Sequence, residues 1–181
     1  MHEEVIVSGF GGQGALFAGQ LLTYAGMDAG YQVTWIPSYG PEMRGGTAHC
    51  TVILSDDPIG SPIIRSPTVA IVMNPPSMEK YEPLVRPAGV LVANSTLVRE
   101  PPKRSDITVV YVPANDLAAE LGNVKMANVV LLGALLATKP ILTVEAVKQA
   151  MEDHIPERRK HIIEPNKRAL DRGIEYVRKG R

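Results

Sequence analysis

Two loops hold the residue types that could act on a ligand. The first, Gly9-Phe10-Gly11-Gly12-Gln13-Gly14, sets Gly9, Gly11 and Gly14 at G-x-G-x-x-G spacing. Between a strand and a helix, that spacing lets backbone approach a ligand closely and aims amide N–H groups and the helix dipole at an anion. A plainer reading has Gly9 turning the chain and Gly14 letting helix pack on strand, with nothing bound. The second loop, Ser38-Tyr39-Gly40-Pro41-Glu42-Met43-Arg44-Gly45-Gly46-Thr47, gathers hydroxyls at Ser38, Tyr39 and Thr47, a carboxylate, a guanidinium and glycines. Arg44 suits bidentate pairing with a phosphate or carboxylate, and a salt bridge to Glu42 is the structural alternative.

Several chemistries lack their residues. A dinucleotide site places Asp or Glu at the end of the second strand to hold ribose hydroxyls, and here that strand ends Trp35-Ile36-Pro37-Ser38. A phosphate loop of the nucleotide-hydrolase type needs Lys-Ser/Thr after its last glycine, where this chain has Ala15-Leu16. Cys50 is the only cysteine, which excludes an internal disulfide, a cysteine-ligated iron–sulfur cluster and a four-cysteine zinc site. Its neighbours alternate apolar and polar, so a buried strand thiol is expected. His49, His154 and His161 lack the partner spacing of a metal site or a triad, and neither a catalytic residue nor a metal ligand is assigned.

The elements around these loops read as an α/β domain. Glu4 to Ser8 is an apolar strand run, followed by a helical pattern through Leu16, Ala18, Leu21, Leu22, Ala25 and Ala29 that closes at Gly30. Tyr31 to Ile36 reads as a second strand stopped by Pro37. This β–loop–α–β order opens a doubly wound, mostly parallel Rossmann-like sheet. Pairing of the first two strands, ~4.8 Å apart, would bring both loops to one ligand. Further strands are expected at Ala48 to Leu54, Thr68 to Met73, Gly89 to Ala93 and Ile107 to Val112, with a loop over 55–67. Helices are expected near Ser77 to Val85, Asp116 to Leu121, Met126 to Thr138, Val144 to Ile155, and from about Glu157 onward. The last carries the stripe Ile162, Asn166, Leu170, Ile174 and Val177, with a kink or restart at Pro165. One domain over 1–181, with 156–181 as a C-terminal helical arm, is the organisation expected.

Charge and hydropathy narrow the partners. Residues 157–181 carry nine Lys/Arg against four Asp/Glu, while residues 1–156 carry ten against fifteen. The basic residues alternate with acids and an apolar stripe, and no aromatic stacking platform accompanies them, so a solvated face or a subunit contact is expected and nucleic acid is not. The longest apolar run, Val129 to Thr138, is far shorter than the ~20 residues of a membrane span. The first residues, Met1-His2-Glu3-Glu4, show no export pattern. A cytoplasmic chain without a membrane contact is expected.

G-F-G-G-Q-G before a helix, then S-Y-G-P-E-M-R-G-G-T leading into a strand, resembles the gamma subunit or gamma domain of 2-oxoacid:ferredoxin oxidoreductases. Similarity continues at Asn128 and Gly133, in Asn166-Lys-Arg-Ala169 and at Gly173, so it spans nearly the whole chain. The resemblance implies a complex that oxidatively decarboxylates a 2-oxoacid, forms an acyl-CoA and passes electrons to ferredoxin. It implies alpha, beta and ferredoxin-like delta partner subunits that carry thiamine diphosphate, magnesium and iron–sulfur clusters. For this chain it implies a supporting role in which coenzyme A is the candidate ligand of Gly11, Gly12, Gln13, Gly14, Ser38, Tyr39, Arg44, Gly45, Gly46 and Thr47. Similarity favours 2-oxoglutarate over pyruvate and branched-chain 2-oxoacids. A homodimer of the isolated subunit is left open. The alternative is a free-standing nucleotide-binding reductase that uses the Gly9–Gly14 loop.

Overall fold

In the computed structural model, which describes residues 1–39 and 47–180, the first apolar run becomes β1 (His2–Phe10) and leads through the glycine loop into α1 (Ala15–Asp28). β2 (Gln32–Tyr39) and β3 (Thr47–Ser55) follow, then β4 (Val69–Val72), α2 (Pro75–Tyr81), β5 (Val90–Asn94) and β6 (Thr108–Val112). The chain continues with α3 (Ala114–Glu120), α4 (Ala127–Thr138), α5 (Val144–His154) and α6 (Ile163–Lys179).

The sheet runs in the order β2-β3-β1-β4-β5-β6. β1, β4, β5 and β6 are mutually parallel, with Val5 opposite Val69 and Val69 opposite Val90. β3 is antiparallel to both of its neighbours, setting Val52 between Val5 and Trp35. Two expectations change here. β1 and β2 run in the same direction but do not pair, because β2 returns through a hairpin whose second strand takes the place beside β1. Pro37 also does not end its strand. β2 is an edge strand, where a residue with no N–H to donate is tolerated, and it continues in register to Tyr39 opposite Ala48.

Alternating residues send each central strand into two cores. Val5, Val7, Ile71 and Val92 face a large cluster built with α1, α3, α4, α5 and α6. Ile6, Val72, Leu91 and Ala93 face a smaller one closed by Met78 and Tyr81 of α2 and by Val85. α4 is buried on all sides from Ala127 to Leu136, as expected of a helix held between a sheet and another helix. That other helix is α6. Its stripe (Asn166, Leu170, Ile174, Val177) is buried against this same domain, so the C-terminal helical arm is packed as a layer of the fold. The expected restart at Pro165 is present: a 3-10 turn over Glu157–Ile162 passes into α6 at Ile163, leaving Pro165 in the first α-helical turn, where its missing N–H costs little. No helix among the described residues is long and apolar enough to cross a membrane.

Candidate functional site

Open α/β sheets bind ligands beyond the carboxyl ends of their parallel strands, and the glycine loop lies there at the end of β1. Gly14 caps α1 in a left-handed conformation, φ 80°, which side chains rarely adopt. A Cβ at this position would also sit 2.5 Å from the Asn128 amide nitrogen. Gly12, φ 93°, stands on the exposed side of the turn with open space around it. Among the described residues no side chain caps α1, and its first turn holds no acid, so the first amides of the helix face no capping group there and can meet an anion.

Gln13, one of the ligand candidates, also supports the loop from within. Its Oε1 accepts the Phe10 N–H at 2.6 Å and an N–H of Asn74 at 3.3 Å. The Gln13 N–H in turn donates to the Phe10 carbonyl at 3.1 Å. The side chain therefore folds back under the loop and braces it. Asn74, fully buried at the end of β4, also accepts the Ser77 N–H at 2.9 Å and so caps α2. One strand over, the Asn94 amide donates to the Met73 carbonyl and to Asn115 Oδ1, and its Oδ1 accepts the Ala114 N–H. A row of amide side chains thus ties the carboxyl ends of β1, β4, β5 and β6 together. Sequence reasoning passed over Asn74, Asn94 and Asn115. The available signal was an Asn directly after each of two apolar runs, Met73-Asn74 and Ala93-Asn94.

The second loop joins β2 to β3. Ser38 pairs with His49, Tyr39 with Ala48, and Thr47 with Phe10, so these residues sit at the same sheet edge as the glycine loop. Arg44, Gly45 and Gly46 lie outside the described residues. With β3 interposed, the ends of β1 and β2 are two strand spacings apart, ~10 Å, and not the single spacing expected.

The remaining reactive groups have structural surroundings. Cys50 is buried on β3, its thiol donates to the Ala15 carbonyl at 3.5 Å, and burial pushes its pKa up to about 11. Burial first, and then Lys80, lower the pKa of His49, whose ring lies tilted 5.8 Å from that of Tyr81. His154 stacks on Tyr24 at 4.2 Å and contacts Asp28 at 2.8 Å.

The profile of the family described as pyruvate ferredoxin/flavodoxin oxidoreductase matches residues 4–176. The chain is 34% identical over 175 residues to the ketoisovalerate oxidoreductase subunit VorA of Methanothermobacter thermautotrophicus, covering 96% of this chain and 36% of VorA. It therefore spans little more than a third of that relative's length. Over 183 residues it is 32% identical to the 2-oxoglutarate synthase subunit KorC of Methanocaldococcus jannaschii, covering 98% of this chain and 95% of KorC. The solved gamma subunit of a keto/oxoacid ferredoxin oxidoreductase from Geobacter sulfurreducens superposes with a TM-score of 0.86 at 29% identity, covering 99% of this chain and 98% of that one.

Proposed function

Since this chain belongs to the pyruvate ferredoxin/flavodoxin oxidoreductase family, we propose that it is the gamma-type subunit of a 2-oxoacid:ferredoxin oxidoreductase. The observation that carries this reading is the end-to-end correspondence with the Geobacter gamma subunit in both fold and length. In the reaction, the bond between the carboxylate and the oxo carbon breaks and carbon dioxide leaves. The thiol of coenzyme A gives up its proton to solvent, its sulfur bonds to the acyl carbon, and the two electrons released reduce ferredoxin. Thiamine diphosphate, magnesium and iron–sulfur clusters are assigned to the alpha, beta and delta partners. 2-Oxoglutarate is the proposed substrate, supported by the whole-length match to KorC; VorA matches over a similar stretch but only as part of a longer chain.

Coenzyme A supplies the thiol that accepts the acyl group. The residues of this chain that would hold its phosphates are the amides of Gly11, Gly12 and Gly14 with the uncapped first turn of α1, and across the hairpin Ser38, Tyr39, Arg44, Gly45, Gly46 and Thr47. The left-handed cap, the open space at Gly12 and the absence of acid in that turn support the fit. Gln13 belongs to the site as the brace of the loop.

The test is kinetic and uses the co-expressed complex. Isolated, the chain is expected to show no 2-oxoacid-dependent reduction of a viologen dye, while the complex does. Arg44→Ala should raise the KM for coenzyme A roughly ten- to hundredfold, the loss of one charge-assisted bond, and leave the KM for the 2-oxoacid unchanged. Wild-type coenzyme A kinetics in that variant and in Gly12→Val would make the two loops scaffold only.

A further inference from the structure

The sheet ends in two edge strands that are built differently. β2 carries Pro37, a residue that discourages a further strand. Among the described residues β6 pairs only with β5, and it carries none of the usual guards. Ile107-Thr108-Val109-Val110-Tyr111-Val112 has no charge and no proline, and it is rich in β-branched residues. The nearest upstream charges, Asp106 and Arg104, satisfy each other, with Arg104 Nε donating to Asp106 Oδ1 at 2.8 Å.

The backbone groups left over can be assigned one by one. The Asp106 carbonyl accepts the Ala88 N–H at 2.8 Å, and the Thr108 N–H donates to the Gly89 carbonyl at 2.8 Å. Further along, the Val112 carbonyl accepts the Ser95 N–H at 2.8 Å. Alternation along the strand then turns Thr108, Val110 and Val112 towards β5, and the N–H and C=O of Ile107, Val109 and Tyr111 away from it. None of those outward groups meets a partner among the described residues. The side chains of Ile107, Val109 and Tyr111 pack, half-buried, against the smaller cluster, and the Tyr111 hydroxyl donates to the Glu100 carbonyl at 2.6 Å. The chain before β6 thus roofs one face of the strand and leaves its edge bare.

We propose that β6 is a self-pairing edge, on which a second copy of this chain docks its own β6 antiparallel, with Val109 on the two-fold axis. Ile107 of each copy then faces Tyr111 of the other, Val109 faces its own counterpart, and every outward N–H and C=O of these residues is bonded. A slip of two residues towards the carboxyl end would set Pro113, which has no N–H, opposite Ile107. A two-fold contact must be self-complementary. Three uncharged residues spaced symmetrically about Val109 meet that condition, whereas an unrelated strand would gain nothing from the symmetry. The two six-stranded sheets become one, and Ile107, Val109 and Tyr111 of both copies line up on one face as an apolar stripe. β1 lies three strand spacings from β6 in the sheet order, ~14 Å, so the glycine loop stays free. The inference does not rest on coenzyme A or on the subunit role proposed above.

Sedimentation equilibrium of the full chain is the test, with a dimer expected at roughly 0.1 mM, a concentration at which small interfaces associate. Val109 opposes itself across the axis. Val109→Lys alone and Val109→Glu alone should therefore each weaken the dimer about tenfold, by setting like charges face to face. An equimolar mixture of the two should regain it as a mixed dimer, which a general loss of stability would not do. Ile107→Pro removes an outward N–H from each copy without touching a bond to β5, and should weaken association about tenfold. If neither charged variant folds, hydrogen exchange of the native chain decides. The Val109 and Tyr111 amides should exchange more slowly as the chain is concentrated, and exchange independent of concentration overturns the proposal. A monomer at the stated concentration, a charged mixture that stays monomeric, or a dimer that all three changes leave intact would also overturn it. Protection of these amides only in the assembled complex would assign the edge to another subunit and reject self-pairing.

Discussion

Gly133 of α4 and Gly173 of α6 are reciprocal points of contact: a Cβ on Gly133 would overlap the Leu170 carbonyl, and one on Gly173 would overlap that of Val130. Each glycine thus receives the backbone of the opposite helix, and α6 lies closer to α4 than any side chain would allow. Gly133→Ala or Gly173→Ala is expected to cost about 3 kcal/mol, the upper range for overpacking, because the obstacle is backbone and not a movable side chain. At roughly 2–4 °C per kcal/mol for a chain of this size, thermal melts should fall by about 6–12 °C. An unchanged melt in both variants would mean that the helices can separate freely.

Leu170 is wholly buried at the same crossing. Leu170→Ala is expected to lose about 2–5 kcal/mol through the cavity it leaves. Leu170→Asp should lose more, since it places an unpaired carboxylate in the core. Urea denaturation measures both, and equal stability of Leu170→Asp and wild type would show that α6 is not docked.

The Cys50 thiol should react with aromatic disulfide reagents only after unfolding, since it is buried and its pKa is about 11. The same shift sets a sign for pH dependence. The folded pKa is raised above the ordinary value of 9.0, so the thiol's contribution is intact below pH 9 and is lost as pH rises towards 11. A difference of two pKa units corresponds to about 2–3 kcal/mol. Cys50→Ala should lack that share of the alkaline decline in stability; identical decline in the two proteins would contradict it.

Gln13→Ala removes the acceptor shared by Phe10 and Asn74. The loop amides should then exchange with solvent faster, and the KM for coenzyme A in the assembled complex should rise while global stability falls by only about 1 kcal/mol. Gln13→Glu retains an acceptor and should recover much of the exchange protection. Equal exchange in wild type and Gln13→Ala would mean that the brace is not needed.

Much of this architecture was legible in residue types. Val5-Ile6-Val7 and Val69-Ala70-Ile71-Val72 announce strands buried on both faces, and Gly14 before Ala15 announces the helix start. Strand partnership was not legible. An apolar run reports that a strand is buried, not which strand lies beside it, and nothing in Ala48 to Leu54 says that it wedges between β1 and β2. Pro37 misled for a related reason, because its tolerance depends on β2 being an edge. At the site, the glycine spacing located the loop. A cleft beside it is lined by Gly14, Asn128 and Arg159, residues far apart in sequence that are brought together by the Asn128 bond to the Gly14 carbonyl and by the packing of α6 on α4.

The central place of β1 has a consequence for synthesis. Both of its hydrogen-bonded neighbours, β3 and β4, lie downstream, so β1 leaves the ribosome before either and waits for residues 47–55 to cover one edge and for residues 69–72 to cover the other. At about 5–20 residues per second this leaves Val5, Ile6 and Val7 wholly unpaired for roughly 2–10 s, and with one bare edge for a few seconds longer. That interval makes β1 a segment of the nascent chain that a holding chaperone would shield. Crosslinking of ribosome-bound chains at Ile6 should capture such a helper up to a length near residue 72 plus the exit tunnel, and should lose it beyond.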